Sequence, residues 1–164
     1  MNVRLWQLAR IKGGKEIVFR RWAEDRDITV YLPIGQQRMR PHKARRATLV
    51  DRAVFPGYIF IKDANHYQRR LRQTMMFLKL LRNEEGELVS VRERVIQDLK
   101  TREASGEFNG VDPVTTGRHP VGTTVLIKNG PLTGFHGIVL GHFKKHLMLD
   151  VKGHAVKIRS HEVE

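Results

Sequence analysis

Five cations fall between residues 38 and 46: Arg38, Arg40, Lys43, Arg45 and Arg46, with Pro41 among them. A second group, Arg69, Arg70 and Arg72, follows on the outer face of a helical stretch. Side chains of this kind at this density suit phosphate contacts, and arginine forks can also reach exposed bases. The chain of 164 residues carries a formal net charge of +13, unevenly placed. Residues 1–104 hold 23 Lys and Arg against 12 Asp and Glu, whereas residues 105–164 hold 7 against 5. A polyanion is the natural partner, and the first part is where it should be met. Surface solubility alone is the bland alternative, and it fits the clustering less well.

Other chemistries fail on spacing. The stretch "KNGPLTGFHGIVLG" (128–141) crowds Gly130, Pro131, Gly134, Gly137 and Gly141 together. A phosphate loop would need a helix after its glycines and a Lys-Ser or Lys-Thr pair. Gly137 and Gly141 interrupt every candidate helix, so these glycines read as turn and bulge positions. Gly13-Gly14-Lys15 lacks the rest of the same motif and reads as a strand-to-helix turn. With no cysteine, disulfides and thiolate metal sites are excluded. His142 and His146 stand four apart without the glutamate of a metalloprotease, in a turn rather than a helix. No Ser/His/Asp order or isolated carboxylate pair stands out. The expectation is a binding protein with no enzymatic activity, no cofactor and no metal. No stretch approaches the roughly 18 apolar residues of a membrane span, and the opening residues lack the apolar run of a signal peptide. The chain therefore reads as soluble and cytoplasmic.

The elements that position these groups follow from periodicity. "VRLWQLARI" (3–11) predicts a strand ended by Gly13-Gly14, with Trp6 and Leu8 out of step with Val3, Leu5 and Gln7. "KEIVFRRWAEDRD" (15–27) places Ile17, Val18, Arg21 and Trp22 near helical spacing. "ITVYLPI" (28–34) is a second strand, and residues 38–52 are an exposed loop or hairpin tip. "AVFPGYIFIK" (53–62) reads as the strongest strand, with Tyr58 and Phe60 on one face and Phe55 and Ile59 on the other. A helix over 65–74, a buried strand over 75–82, a turn at 83–87, the short segment 88–91 and a helix over 92–103 complete this part. The order predicts an α+β domain over residues 1–103, an antiparallel sheet with flanking helices. Residues 104–120 lose all periodicity and read as a flexible linker. "TTVLIK" (123–128), "GIVLGHF" (137–143) and "HLMLDV" (146–151) make residues 121–164 a small, barrel-like β unit.

These segments carry a resemblance. "VGTTVLIKNGPLTGFHGIVL" (121–140) resembles a KOW motif, and "VFPGYIF" (54–60) looks like the signature strand of the N-terminal domain of NusG-type transcription elongation factors. Trp6 stands eight residues before Gly14, followed by Lys15-Glu16, as the opening of that domain would have it. The likeness covers nearly the whole chain and implies an SH3-like KOW barrel at its end. It also implies a monomeric, non-enzymatic elongation or antitermination factor that binds the clamp helices of the largest RNA polymerase subunit and suppresses pausing. The polymerase-facing surface carried over by the resemblance is Tyr58 and Phe60, with Leu8 and Arg10 at its margin. Arg38, Arg40, Lys43, Arg45, Arg46, Arg69, Arg70 and Arg72 would then meet non-template DNA or nascent RNA. The high charge points towards a specialised, RfaH-like paralogue. The partner surface of the KOW unit would comprise Phe135, Val151, Lys152, Gly153 and His154. Lysine stands there where general factors carry an aromatic, which weakens the expectation of termination factor Rho and of ribosome contact with it; a ribosomal protein stays among the partners. An RNA-binding or ribosome-associated KOW protein is the rival class, although Pro56 and Ile59 break the aromatic motif of an RNA-recognition sheet. Glycines in 122–153 would each cost a helix about 1 kcal/mol and Pro131 about 3 kcal/mol. The unit is therefore expected to be permanently β and flexibly tethered, leaving the polymerase site open.

Overall fold

The computed structural model describes residues 5–43, 45–111 and 117–164. Val3 and Arg4 of the first expected strand, Ala44 of the expected loop and residues 112–116 of the expected linker lie outside them. The chain runs through β1 (Trp6–Ile11), α1 (Glu16–Glu24), β2 (Val30–Tyr31), β3 (Ile34–Met39) and β4 (Thr48–Ala53). Then come β5 (Tyr58–Lys62), α2 (Ala64–Leu71), β6 (Phe77–Leu80), β7 (Ser90–Val91) and α3 (Glu93–Ala104). The last part holds β8 (Thr124–Leu126), β9 (His136–Phe143), β10 (His146–Val151) and β11 (His154–Arg159).

Strand β1 is the hub of the first sheet. It pairs antiparallel with β5 on one side and with β6 and β7 on the other, and β2 lies beyond β5. Alternation along β1 and β5 divides their side chains between two cores. Ala9, Ile11, Ile59 and Ile61 join Phe19 and Ala23 of α1 and Ala64 and Leu71 of α2. Trp6, Leu8 and Phe60 join Val95, Ile96 and Leu99 of α3. The segment expected to be a buried strand over 75–82 is instead an edge strand, with Leu78 54% exposed. Its apolar composition could not reveal which strand would stand at the sheet's rim.

Helix α3 is fixed at both ends by buried rings. The indole N–H of Trp6 donates to Glu93 at 2.7 Å, joined by the Lys62 ammonium at 3.1 Å. At the other end the Tyr31 hydroxyl donates to Glu103 at 2.7 Å. Burial, with the Glu103 carboxylate as acceptor, pushes the Tyr31 phenol well above its usual range.

Strands β3 and β4 form a separate two-stranded ribbon, in register from Ile34 opposite Ala53 to Met39 opposite Thr48. Its base is seated on residues 108–111. Gly35 lies against the Phe108 carbonyl with no room for a Cβ, and the Gln37 amide donates to the Val111 carbonyl. Phe108 is 1% exposed and Val111 is also buried, so the stretch read as linker is packed up to that point.

The β unit forms as expected, in the order β11-β10-β9-β8. Val125, Ile127, Val139, Leu147, Leu149, Val151 and Val163 fill its own core. Its strands are apolar on the other side as well: Leu140, Phe143, Met148 and Ala155 belong to the core of the first domain. Burial is worth about 1.5–3 kcal/mol for each large apolar side chain. The expected open tether is corrected accordingly: the β unit is docked, because "LML" (147–149) buries both of its faces.

The Glu93 carboxyl is held down at about 2, first by the Trp6 indole against the opposing effect of burial, then by Gln97 and Lys62. A depressed carboxylate stabilises the fold above its unfolded pKa, and that contribution fades as pH falls through the folded value. The denaturant midpoint of the protein should therefore drop between pH 4.5 and 2. Glu93→Gln should drop less over the same window in urea titrations followed by circular dichroism.

Candidate functional site

The predicted docking group divides into a buried pair and a half-buried pair. Leu8 and Phe60 are cross-strand partners, each 1% exposed, and Phe60 stacks on Tyr31 with ring centroids 6.2 Å apart. Both are core residues in this structure. Arg10 and Tyr58 are the neighbouring cross-strand pair, both half-buried, with the Arg10 guanidinium 4.7 Å from the Tyr58 ring centroid. Of the four, these two reach the surface. A cation lying on an aromatic ring holds a long side chain still and presents one polar and one apolar group together.

What places Tyr58 is the turn before it. Ala53 ends β4, β5 begins at Tyr58, and Gly57 between them has φ +86°. Only glycine takes that conformation without strain, and a side chain there would also meet the Arg10 guanidinium. The Gly57 N–H donates to the Glu16 carboxylate at 2.7 Å, and the Gly14 N–H donates to the same oxygen at 3.2 Å. Glu16, 6% exposed, entered the sequence reading only within the Lys15-Glu16 pair, with no role of its own. A glutamate in the first turn of a helix is ordinary for its dipole, so nothing in the pattern announces a long-range acceptor. The turn also corrects the expected alternation. Phe55 is not opposite Phe60 but joins it in one cluster, since the turn resets the side-chain parity.

All eight predicted nucleic-acid cations are exposed. Arg38 lies in β3, and Arg40, Lys43, Arg45 and Arg46 lie in the connection to β4. The same ribbon exposes Met39, Leu49 and Val50, so cations and apolar groups share one projecting element. Arg69 and Arg70 lie on α2 and Arg72 caps its end, while Ala64 and Leu71 hold that helix to the sheet. The structure keeps the two cationic groups on different elements.

The predicted partner surface of the β unit also divides. Val151 is core. Phe135 and Lys152 pair on the outside, with the ammonium 4.4 Å from the ring centroid. Gly153 and His154 face α3 instead: the Arg92 side chain is packed at Gly153, and His154 Nδ1 is 3.6 Å from Asp98. Among the described residues, no group of three or more His, Asp or Glu side chains could hold a metal ion. No helix among them is long and apolar enough to cross a membrane.

A family model described as transcription termination factor NusG matches residues 4–100. A search of the curated proteins finds no match. Among solved structures, one on domain interaction in Thermotoga maritima NusG aligns at 20% identity and TM-score 0.39, covering 98% of this chain and 96% of that one. A structure of the MjSpt4:Spt5 complex aligns at 14% identity and TM-score 0.31, covering 97% and 95%.

Removing the Glu16 carboxylate strands two backbone donors, one of them buried. Glu16→Ala should lower the unfolding free energy by about 1–3 kcal/mol in urea titration, with Glu16→Gln recovering part of the loss.

Proposed function

The chain belongs to the NusG family of transcription factors, and on that premise we propose that it is a transcription elongation factor that acts by binding RNA polymerase, not by catalysis. The half-buried Arg10–Tyr58 pair beside the Phe55-Pro56-Gly57 turn carries the reading, because it is a cation–aromatic surface on the matched domain. Rigid aromatic and arginine anchors are the residues that dominate protein interfaces. The clamp helices of the largest subunit are the proposed partner, and reduced pausing is the proposed outcome. Leu8 and Phe60 are the buried pair next to it on the same face of the sheet. The basic ribbon and α2 add contacts to the non-template strand or to nascent RNA, with phosphate attraction supplying most of the affinity.

Two measurements test this. Arg10→Ala with Tyr58→Ala should abolish co-migration with core polymerase while circular dichroism and thermal unfolding stay near those of the unaltered chain. Equal co-migration of the double variant would reject the surface. For nucleic acid, affinity should fall steeply with salt, and replacing Arg45 and Arg46 with Gln should reduce the log–log slope by about 2 on duplex DNA. A slope that does not change removes the ribbon from the phosphate contacts.

A further inference from the structure

Gly141 lies on the Phe55 ring with no room for a Cβ. Phe108 stands edge-on to Phe55 at 6.3 Å and to Phe143 at 5.6 Å, across the seam between the two units. Phe143 ends β9, and only Lys144 and Lys145 separate it from β10. Lys144 has φ +55°. Glycine and asparagine are the residues that fit such a position in a two-residue hairpin turn without strain. A lysine there is not what the local backbone favours, and strain kept at one position points to work done by its side chain.

Further cations gather at the same end of the β unit. His146 lies opposite Arg159 in the β10–β11 pair, Lys157 stands two residues before Arg159, and His161 follows in the short turn Ser160–Glu162. Lys145 ties the hairpin to this group, since its carbonyl accepts from the Ser160 N–H and hydroxyl at 3.0 Å each. Four of the seven Lys and Arg in residues 105–164 therefore stand together. Among the described residues, Glu162 is 3.5 Å from Arg159 and Glu107 is 2.9 Å from Lys157, while no ion pair involves the exposed Lys144 or Lys145. Burial first, then the Lys157 and Arg159 charges, hold the His146 imidazole below its ordinary range; Glu162 opposes this and His161 adds to it. Cations close enough to help discharge a histidine make a field that attracts anions.

We propose that this end of the β unit is a second nucleic-acid surface, on which Lys144, Lys145 and Arg159 take backbone phosphates while His146 and His161 take up protons as the polyanion binds. A phosphate that offsets the cations around His146 favours its charged form, so affinity rises as pH falls through the histidine range. A membrane is another polyanion, but an element lying on one needs exposed apolar groups beside its cations. The large exposed apolar residues, Val18, Met39, Leu49, Val50, Met75 and Leu78, all belong to the first domain. The patch also continues the ribbon. Gly35 at the ribbon's base rests on the Phe108 carbonyl, Lys157 is bonded to Glu107 beside it, and Phe143 packs on the Phe108 ring. A strand that follows the ribbon to its base passes on to Lys144 and Arg159. That continuity rests on the nucleic-acid reading of the ribbon above, whereas the patch itself does not.

Fluorescence anisotropy of the full-length protein on labelled duplex DNA tests both parts. Lys144→Gln with Lys145→Gln should reduce the log–log salt slope by about 2, additively with the Arg45 and Arg46 replacements. From about pH 8 to about pH 6 the unaltered chain should tighten about tenfold, and His146→Gln with His161→Gln should lose most of that gain. The difference between those two proteins separates this pair of imidazoles from the other histidines. An unchanged slope for the lysine pair, in a protein with native circular dichroism, overturns the surface. A full pH gain in the histidine pair overturns the proton uptake. If the lysine pair lowers the slope and the Arg45–Arg46 pair does not, the β-unit surface stands and the ribbon reading falls; the reverse result keeps the ribbon and overturns the β-unit surface. Polyglutamate that competes as well as unlabelled DNA of equal charge overturns nucleic acid as the partner in favour of an acidic protein.

Discussion

A single buried carboxylate, Glu16, sets the geometry on which both surfaces of the first domain depend. It accepts from Gly14 at the entry to α1 and from Gly57 in the turn before β5. Leaving a buried charge without donors is costly, so the two turns are fixed with respect to each other. Gly57 then determines parity: Tyr58 faces Arg10 across the β1–β5 pair, and Phe55 turns towards Phe108 and the β unit. A different turn would move Phe55 to the α1–α2 side, and the seam would lose its first ring.

The β unit illustrates why a small barrel need not be independent. Its interior is only a handful of aliphatic side chains, and its outer face is apolar at Leu140, Phe143 and Met148. Such a face left in water is unfavourable in proportion to its area. Docking removes it from water and also satisfies the backbone of β11 through Asp98 and Arg102. Opening is therefore a matter of exchange, in which a partner must offer comparable apolar cover.

Charge follows a different plan from packing. The cations of the ribbon and of α2 stay at the surface, whereas the seam is built from pairs of opposite sign, with Glu107 between Arg102 and Lys157. Burial raises the Glu107 carboxyl, and donation from Lys157 and Arg102 more than offsets it, so the group stays below its ordinary range. Exposed cations are left where a polyanion can approach, and the cations of the seam hold the chain together.

Read residue by residue, the sequence by itself determined the α+β order of the first unit, the exposed basic segment and the choice of β over helix for residues 121–164, but not the bounds of β2 to β5, where the stretch read as a loop or hairpin tip holds much of the β3–β4 ribbon. Each of these depends on local properties: periodicity, the conformational cost of glycine and proline, and the desolvation cost of clustered cations. Only the tertiary structure decided that Phe60 and Leu8 are core while Arg10 and Tyr58 are surface, because helix α3 and Tyr31 arrive over that face from distant parts of the chain. It alone decided that Phe55 and Phe60 share a side, since one positive φ at Gly57 cancels the period of two. The docking of the β unit belongs with these, because it depends on the fit between Gly141 and one ring, and shape complementarity leaves no periodic trace in a sequence.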